Sequence, residues 1–191
     1  RMDFANQIVP ASVAGGSGAA LTSAGETIHQ GAELLLRASA RDAGVLERDD
    51  IYARTAITYL WDARFQGRRF STVDGSLVTG NRLPYAPELL FSAAIGYEWN
   101  DLVTAEVETQ YTGAMFTDDL ETVATTADGQ RGRIKSALIW NATVNVEIPD
   151  TPLTAYVSVK NAFDEVYVVD QTRGMLPGAP RMVQVGVSVK F

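Results

Sequence analysis

The side chains best suited to nucleophilic or acid–base chemistry are almost absent from this chain of 191 residues. It has one histidine, His29, and no cysteine. A Ser-His-Asp or Cys-His site would therefore have to be built on His29, and thiolate metal sites and disulfides are excluded. His29 falls on the polar side of an alternating segment, which favours a polar wall residue over a ligand contact. We predict no catalytic residue and no enzyme activity.

Two further motifs have an alternative, plainer interpretation. Asp118, Asp119 and Glu121 could hold a hard cation such as calcium, but their spacing matches no known calcium loop, which favours a solvated loop. The Gly-Gly-Ser-Gly run at 15–18 could surround a phosphate. Because neither a Lys-Ser/Thr pair nor a helix follows it, a flexible loop is favoured. We predict no metal site and no cofactor.

Arginines in the long loops and at the nearby end of the polar face are the remaining candidates for ligand binding. A guanidinium group is permanently charged, and its forked geometry matches a carboxylate. The candidate residues for an anionic ligand are Arg64, Arg68, Arg69, Arg82, Arg131, Arg133 and Arg173. The alternative is that they pair with acidic loop residues or with lipopolysaccharide phosphates. Nucleic acid is disfavoured as a partner, because the net charge is −7 and no basic stripe with interleaved aromatics is present.

The elements that would position these residues are strands, because apolar and polar residues alternate with a period of two. The final segment shows this most clearly: Val183, Val185, Val187, Val189 and Phe191 share one side. The alternation predicts eight strands, at 1–10, 25–40, 51–65, 89–99, 103–111, 135–148, 153–163 and 181–191. No apolar run is long enough for a membrane helix.

The predicted connections alternate strictly between long and short, which places every long loop at one end of an up-and-down meander. This arrangement is typical of an outer-membrane β-barrel, whereas Greek-key crossings in a soluble sandwich do not sort loops this way. The polar side of the strands carries too many charges for a dry core. It includes Arg37, Arg54, Glu106, Glu108, Lys135, Asn145 and Lys160. We therefore predict an all-β antiparallel sheet with a wet inner face.

Aromatic residues on the predicted outer face fall into two groups, as the two interfaces of a membrane favour. The group near the long loops is Tyr59, Trp61, Phe65, Tyr111 and Phe163; the group near the short turns is Tyr97, Trp99 and Phe191. Trp140 lies in the middle of its strand and fits neither group.

Several stretches together resemble the C-terminal region of TonB-dependent outer-membrane receptors. They are Asn161–Tyr167 (NAFDEVY), Arg173–Arg181 (RGMLPGAPR) and the final strand that ends on Phe191. Three earlier pieces agree with the siderophore and ferric-dicitrate branch: Gly25–Glu33 (GETIHQGAE), Tyr59–Phe65 (YLWDARF) and Arg82–Glu88 (RLPYAPE). The resemblance extends from about Asp3 to Phe191.

The resemblance implies a 22-stranded barrel, plugged by an N-terminal domain, that imports ferric chelates with energy delivered by TonB. The sequence has room for only about eight strands. The resemblance therefore implies that the whole of 1–191 is the C-terminal part of such a barrel, without the plug and the earlier strands. TonB would act through the absent N-terminal region. The expected partners are a ferric siderophore or ferric-citrate-like chelate, outer-membrane lipid, lipopolysaccharide and the barrel assembly machinery. The alternation ending in Val187, Val189 and Phe191 resembles the signal that this machinery reads.

Eight strands taken from a wide barrel keep its shallow curvature, so we expect a curved sheet with two open edges. Two alternatives remain. A self-contained eight-stranded membrane barrel, structural or ligand-binding, would pair strand one with residues 181–191. A soluble β-sandwich binding module would place its charged face outside.

Overall fold

The computed structural model describes residues 1–10 and 21–190. Its strands are β1 (Met2–Phe4), β2 (Ile8–Pro10), β3 (Leu21–Ser23), β4 (Thr27–Ser39), β5 (Asp50–Phe65), β6 (Leu89–Trp99), β7 (Val103–Thr112), β8 (Met115–Phe116), β9 (Arg133–Ile134), β10 (Ala137–Glu147), β11 (Leu153–Lys160), β12 (Val168–Asp170), β13 (Leu176–Pro177) and β14 (Met182–Val189). No helix within these two ranges is long and apolar enough to cross a membrane.

One antiparallel sheet organises the described residues. Its order is β1-β4-β5-β6-β7-β10-β11-β14, so every strand pairs with its neighbours along the main meander. The connections at 66–88, 113–136 and 161–181 are long, and those at 40–49, 100–102 and 148–152 are short. The predicted all-β, eight-stranded, up-and-down meander is confirmed, and so is the sorting of long loops to one end, called here the long-loop end.

The register lines up apolar residues across the sheet. One row contains Ala38, Ala53, Ile95, Val107, Ala142, Val159 and Val183, each paired with the next. Residues opposite each other in neighbouring strands project from the same face. Large members of this face are exposed, with Ile95 at 60% and Val183 at 64%. We call this side of the sheet the apolar face; without a membrane it would lie against water.

The opposite, polar face has a matching row. It contains Ser39, Tyr52, Gly96, Glu106, Thr143, Ser158 and Gln184. Thr143 and Ser158 share a hydrogen bond of 3.1 Å between their hydroxyls, so the polar groups of neighbouring strands satisfy one another. This face carries the charged residues that the alternation predicts for a wet interior.

The two edge strands do not meet in the described residues. β1 pairs with β4, and β14 pairs with β11. The pairing of strand one with 181–191 that a self-contained barrel requires is not found there, and a single sheet does not form the second layer of a sandwich. The expected open, two-edged sheet is therefore what the described residues show.

Some predicted boundaries differ from the structure. The first predicted strand, 1–10, is split into β1 and β2, and β2 forms a hairpin with β3 outside the main sheet. The Gly-Gly-Ser-Gly run at 15–18 lies outside the described residues. The long loops contain the small ribbons β8-β9 and β12-β13, which alternation does not reveal because each strand is only two or three residues long.

A β-bulge alters β5 near its end and corrects the prediction for Phe65. The register shifts between the pairs Gln30–Asp62 and Ala32–Tyr59, which leaves one extra residue on β5. Such an extra residue reverses the facing of everything beyond it. Phe65 was predicted on the outer face, but it is only 2% exposed and packs with Ala63 in a buried cluster.

Candidate functional site

The long loops beyond the strand ends pack around a small apolar core. Its buried members are Ala24, Ala63, Phe65, Val78 and Leu83. Leu120, from the 113–136 loop, packs against them together with Leu60 and Ala86. Because this cluster joins β5 to the 66–88 and 113–136 loops, those two loops form a fixed surface above the sheet.

Polar contacts also hold the 66–88 and 113–136 loops together. Arg69 places its guanidinium carbon 4.8 Å from the centre of the Phe65 ring. The Ser71 hydroxyl donates to Asp119 Oδ1 at 2.9 Å, and the Asn81 amide donates to the Asp119 carbonyl at 2.8 Å. Arg69 Nη2 lies 3.9 Å from Asp119 Oδ2. Burial raises the pKa of Asp119, with the Ser71 bond and the Arg69 charge acting against that rise.

These contacts correct the prediction that the acidic triplet is a solvated loop. Asp118 is 1% exposed and Asp119 is 0% exposed. Asp118 Oδ1 accepts hydrogen bonds from the Leu120 amide and the Thr122 hydroxyl, and Glu121 Oε1 accepts one from the Arg82 amide at 2.7 Å. The three carboxylates therefore shape the loop. Residues 1–10 and 21–190 contain no group of three or more histidine or acidic side chains placed to hold a metal ion.

A third long loop is joined to the first through Tyr85. Its hydroxyl donates to Asp170 Oδ1 at 2.8 Å and accepts from the Gln171 amide at 3.1 Å. Burial is the main cause that raises the pKa of Tyr85, so this hydroxyl stays protonated at any physiological pH. Thr172 donates from its hydroxyl to Asp170 Oδ2 at 2.6 Å. The 66–88 and 161–181 loops are thus linked by a defined hydrogen-bond network.

The polar face carries a second network nearer the short turns. The Tyr52 hydroxyl donates to Glu106 Oε2 at 2.9 Å, and Arg54 Nη2 donates to Glu106 Oε1 at 2.8 Å. Arg54 Nη2 also lies 3.4 Å from Glu108 Oε1, and the Asn141 amide donates to Glu108 Oε2 at 3.3 Å. The charge of Arg54 on β5 is therefore balanced by Glu106 and Glu108 on β7, across the intervening strand β6.

His29 lies on the polar face, as its position in the alternation predicts. It pairs with Ala63 across β4 and β5. Its ring makes an edge-on contact with Phe4 at 5.4 Å between centroids, and Nε2 lies 3.3 Å from Gln7 Oε1. Neither a serine nor a carboxylate joins these contacts, so they form no triad.

The predicted ligand-binding arginines do not form one group. Arg64 pairs with Arg82 in an isolated antiparallel bridge, which places both side chains on one face. Arg64 Nε lies 2.9 Å from Asp62 Oδ1. Arg82 donates from Nε to the Ala86 carbonyl and from Nη2 to the Leu60 carbonyl, both at 2.8 Å. Arg82 and Arg69, each at most 15% exposed in its side chain, therefore hold the loop backbone and core in place.

The other four arginines make fewer contacts. Arg68 lies over the Phe70 ring at 5.4 Å, and Arg133 lies over Phe116 at 5.7 Å. Arg173 is exposed and lines a loop cavity of about 560 Å³, whereas Arg131 is half-buried. Within the described ranges none of these four forms an ion pair, although the charge of Arg131 contributes to lowering the pKa of Asp74 and of Asp128.

The aromatic groups and the final strand complete the apolar face. Tyr59 and Trp61 are 47% and 46% exposed at the long-loop end, and Tyr97 and Trp99 are 42% and 52% exposed at the other end. Trp140 contacts Phe163 edge-on at 6.2 Å, which ties it to the long-loop group through a contact that alternation does not show. In β14, Val187 is 61% and Val189 is 45% exposed; Phe191 lies outside the described residues.

Sequence reasoning missed the residues that fix the loops. Tyr85, Asp170 and Ser71 gave no signal as candidates, since each lies in a long loop and far along the chain from its partner. The sequence did point to these loops, through the Arg82–Glu88 stretch and through Arg69, Asp118 and Asp119, but not to the contacts that join them. The alternation of apolar and polar residues likewise does not indicate the β-bulge that turns Phe65 inward.

Comparison with known proteins agrees with this architecture. The family model described as TonB dependent receptor-like, beta-barrel, matches residues 1–162. The unliganded ferric citrate transporter FecA is 26% identical over 87% of this chain and 24% of its own, with a TM-score of 0.67. The siderophore receptor PiuA from Acinetobacter baumannii is 16% identical over 92% of this chain and 23% of its own, also with a TM-score of 0.67.

A third solved structure shows the same fold. The ferric-catecholate import receptor Fiu from E. coli K12 is 18% identical over 99% of this chain and 24% of its own, with a TM-score of 0.59. The open meander, the exposed apolar face and the ordered long loops thus define a segment of a transmembrane β-barrel. The chain belongs to the TonB-dependent receptor β-barrel family. It spans about a quarter of the length of these solved relatives.

Members of this family are receptors and transporters of the bacterial outer membrane, and not enzymes. The recognition from sequence is therefore confirmed at the level of the family and the location. The apolar face is the lipid-facing surface, and the polar face lines the interior of the barrel.

Proposed function

We propose that this chain forms part of the barrel wall of an outer-membrane transporter that imports a ferric chelate of the siderophore or ferric-citrate type. The observation that carries the proposal is its 26% identity to the ferric citrate transporter FecA over 87% of the chain. The exposed loop arginines Arg68 and Arg173, which form no ion pair within the described residues, add to it, because ferric citrate and many siderophores are anionic.

Within this function, Arg68, Arg131 and Arg173 are the strongest candidates for chelate contact. They lie in the 66–88, 113–136 and 161–181 loops, which the Tyr85 and Asp119 contacts hold together. Loops fixed in this way present their cations at set positions, which lowers the entropy lost when a ligand binds. Arg64, Arg69 and Arg82 remain candidates with weaker support, since they are used in contacts within the protein. Arg133, which lies over the Phe116 ring, also remains a candidate.

The partners in this proposal are those that the family implies. TonB would act through the N-terminal region of the complete receptor, together with the plug and the remaining strands. The barrel assembly machinery would read the final strand, with Val187, Val189 and Phe191 as its signal. The exposed valines of β14 support that assignment, because an apolar edge strand needs help to reach the membrane without aggregating.

Uptake of radioactive iron tests the proposal. The complete receptor is expressed in an iron-starved strain that lacks its own citrate and siderophore receptors, and uptake of iron citrate and of siderophore complexes is measured with and without TonB. We expect TonB-dependent uptake of at least one anionic chelate. Replacing Arg131 and Arg173 by glutamine should lower it about tenfold for each lost charge-assisted contact.

A matched control is Arg48→Gln, which removes an exposed arginine from the 40–49 connection at the opposite end. Its uptake should equal that of the parent. Absence of uptake for every ferric chelate offered, or uptake that is unchanged without TonB, would overturn the proposed function.

A further inference from the structure

A cavity of about 330 Å³ lies between the 113–136 and 161–181 loops. One wall is formed by residues 133–136, which include β9, and the other by residues 165–168, where β12 begins. Small-molecule sites in proteins have volumes of about 300–1,000 Å³. The cavity is at the small end of that range, so it has room for a small organic ligand.

Both walls of the cavity have a backbone that is held in place. The side chain of Asn161, a residue only 2% exposed, accepts from the Glu165 amide at 2.8 Å and donates to the Glu165 carbonyl at 2.9 Å. On the opposite wall, Ile134 pairs with Met115 in the β8-β9 ribbon and is 4% exposed. A cavity with fixed walls loses less conformational entropy when a ligand binds, so it has the preformed character of a binding site.

The floor of the cavity is formed by its buried lining residues, Ile134 and Gln171. The backbone amide of Gln171 donates to the Tyr85 hydroxyl at 3.1 Å. Its side-chain Oε1 is buried and has no hydrogen-bond partner among the described residues. A buried carbonyl oxygen without a donor destabilises the protein, because it has lost its hydrogen bonds to water and gained none in return. An N–H or O–H group of a ligand would satisfy this oxygen.

The two walls carry charges of opposite sign. Arg133 and Lys135 lie on one wall, and Glu165 lies on the other. All three residues are exposed, and none of them forms an ion pair within the part of the chain that the structure describes. Opposite charges that are not paired with each other attract a ligand that carries both signs. The occupant should therefore have an anionic group and a cationic group in one molecule.

Apolar side chains also line the cavity. They are Ile134, Val166, Val168 and Met175, of which Val166 is 90% and Met175 is 60% exposed. Covering such apolar surface with hydrocarbon groups of a ligand is favourable, because it removes the surface from water. An anionic ferric chelate fits this cavity poorly, since Glu165 repels it and its charge would lie against apolar side chains.

We propose that this cavity binds a short peptide that has free ends and apolar side chains. The carboxylate of the peptide lies against Lys135 and Arg133, its ammonium group lies against Glu165, and a peptide N–H donates to Gln171 Oε1. The side chains of the peptide cover the apolar lining residues. Only Arg133 is shared with the candidates for chelate contact, so the site does not rest on the proposed transport function.

Isothermal titration calorimetry of the complete receptor in detergent tests the site. The receptor is titrated with leucyl-leucine, with its N-acetylated form, with its C-amidated form and with the form blocked at both ends. We expect leucyl-leucine to bind at least about tenfold more tightly than either singly blocked form, since each block removes one charge-assisted contact. Equal affinity for all four peptides, or no saturable binding of any of them, would overturn the proposal. Displacement of leucyl-leucine by ferric citrate at equal concentration would assign the peptide to a chelate site and would overturn it as well.

Two variants locate the binding. Glu165→Gln should weaken the binding of leucyl-leucine about tenfold but leave that of the N-acetylated form unchanged, because this form has no ammonium group. Lys135→Gln should weaken the binding of leucyl-leucine and leave that of the C-amidated form unchanged, because this form has no carboxylate. The matched control is Lys160→Gln, since Lys160 is also an exposed lysine at the long-loop end but does not line this cavity. Affinity that falls equally in Lys135→Gln and Lys160→Gln, or in neither, would contradict the site.

Discussion

The ring of Tyr52 covers the backbone of Gly96, its pairing partner on β6. A Cβ atom at position 96 would lie 2.2 Å from Tyr52 Cζ, so the ring occupies the place of the missing side chain. From there the Tyr52 hydroxyl reaches Glu106 on β7 at 2.9 Å. One glycine thereby allows a tyrosine of β5 to connect three strands on the polar face.

This relationship predicts that Gly96→Ala destabilises the barrel by about 1–3 kcal/mol, since the added methyl group must displace the ring. The loss of stability is measured as the change in the free energy of unfolding of the complete receptor by urea in detergent. Tyr52→Phe keeps the ring in place and should lose only about 1 kcal/mol, for the hydrogen bond to Glu106.

Ser92→Ala is a suitable control for that series, because Ser92 lies on the polar face of the same strand and the change adds no atoms. A Gly96→Ala protein that is as stable as Ser92→Ala would show that the ring is not packed on the glycine.

The apolar row predicts the effect of a charge that faces lipid. Ile95 lies in the middle of β6, is 60% exposed, and pairs with Ala53 and Val107. Ile95→Arg should cost about 2–4 kcal/mol, as arginine does near the midplane of the bilayer. The amount of folded receptor in the outer membrane, read from its resistance to SDS before heating, checks this.

Val123→Arg is the control variant for Ile95→Arg. Val123 is a loop residue that is 69% exposed, beyond the strand ends, where arginine meets water. If both arginine variants assemble equally well, the assignment of the apolar face to lipid is wrong.

The link between two long loops predicts that Tyr85→Phe loosens residues 161–181. The change removes the bond donated to Asp170 and the bond accepted from the Gln171 amide, and leaves the amide of the buried Gln171 without this acceptor. We expect a loss of about 1–3 kcal/mol in local protection, measured by hydrogen exchange of the 161–181 amides.

Tyr167→Phe removes a hydroxyl from the same loop, but the Tyr167 ring, which lies against Gly178, stays in place. Its hydroxyl makes no hydrogen bond in the described part of the chain, so exchange should remain near that of the parent. Equal loosening by the two variants would exclude a specific role for the Tyr85–Asp170 bond.

The buried carboxyl of Asp119 predicts a pH dependence of loop stability. Burial raises its pKa above the value in the unfolded chain, so the folded loop holds its proton more tightly. Stability is therefore fully present below the unfolded pKa and is lost as the pH rises through the folded pKa. Asp119→Asn keeps a carbonyl acceptor for Ser71, and its stability relative to the parent should increase from about pH 4 upwards.

Asp128→Asn should show the opposite sign. The hydrogen bond from the Thr126 hydroxyl, together with that from the Gln130 amide, lowers the pKa of Asp128. The parent loop therefore gains stability relative to that variant above the unfolded pKa and loses it on acidification. Limited proteolysis of the loops between about pH 3 and pH 7 separates the two cases; parallel curves for both variants would refute the assignment to Asp119.

Alternation alone was sufficient to predict the main sheet. Residues such as Val183, Val185 and Val187 repeat every second position because a strand directs successive side chains to opposite faces. The period therefore gave the strands, the sorting of the loops and the lipid-facing side. The stretches Asn161–Tyr167 and Arg173–Arg181 gave the family.

The candidate site could be predicted only in part. The sequence identified seven arginines as candidate ligand-binding cations, six in the long loops and Arg64 at the end of β5. Alternation and composition do not indicate which of them form contacts within the protein. Arg82 is held by backbone carbonyls at Leu60 and Ala86, and Asp119 is bonded to Ser71 and Asn81, which lie 48 and 38 positions away. Such contacts arise only when irregular loops pack together.

The sequence by itself therefore determined the strands, their order and the two faces, since these depend on local periodicity and on short connections between neighbours. The tertiary structure decided that Phe65 turns inward at the bulge, that Asp118 and Asp119 are buried, and that Arg133 is left without an acidic partner within the described residues. The physical reason is that burial and charge pairing in loops depend on long-range packing, to which hydrophobic alternation contributes no information.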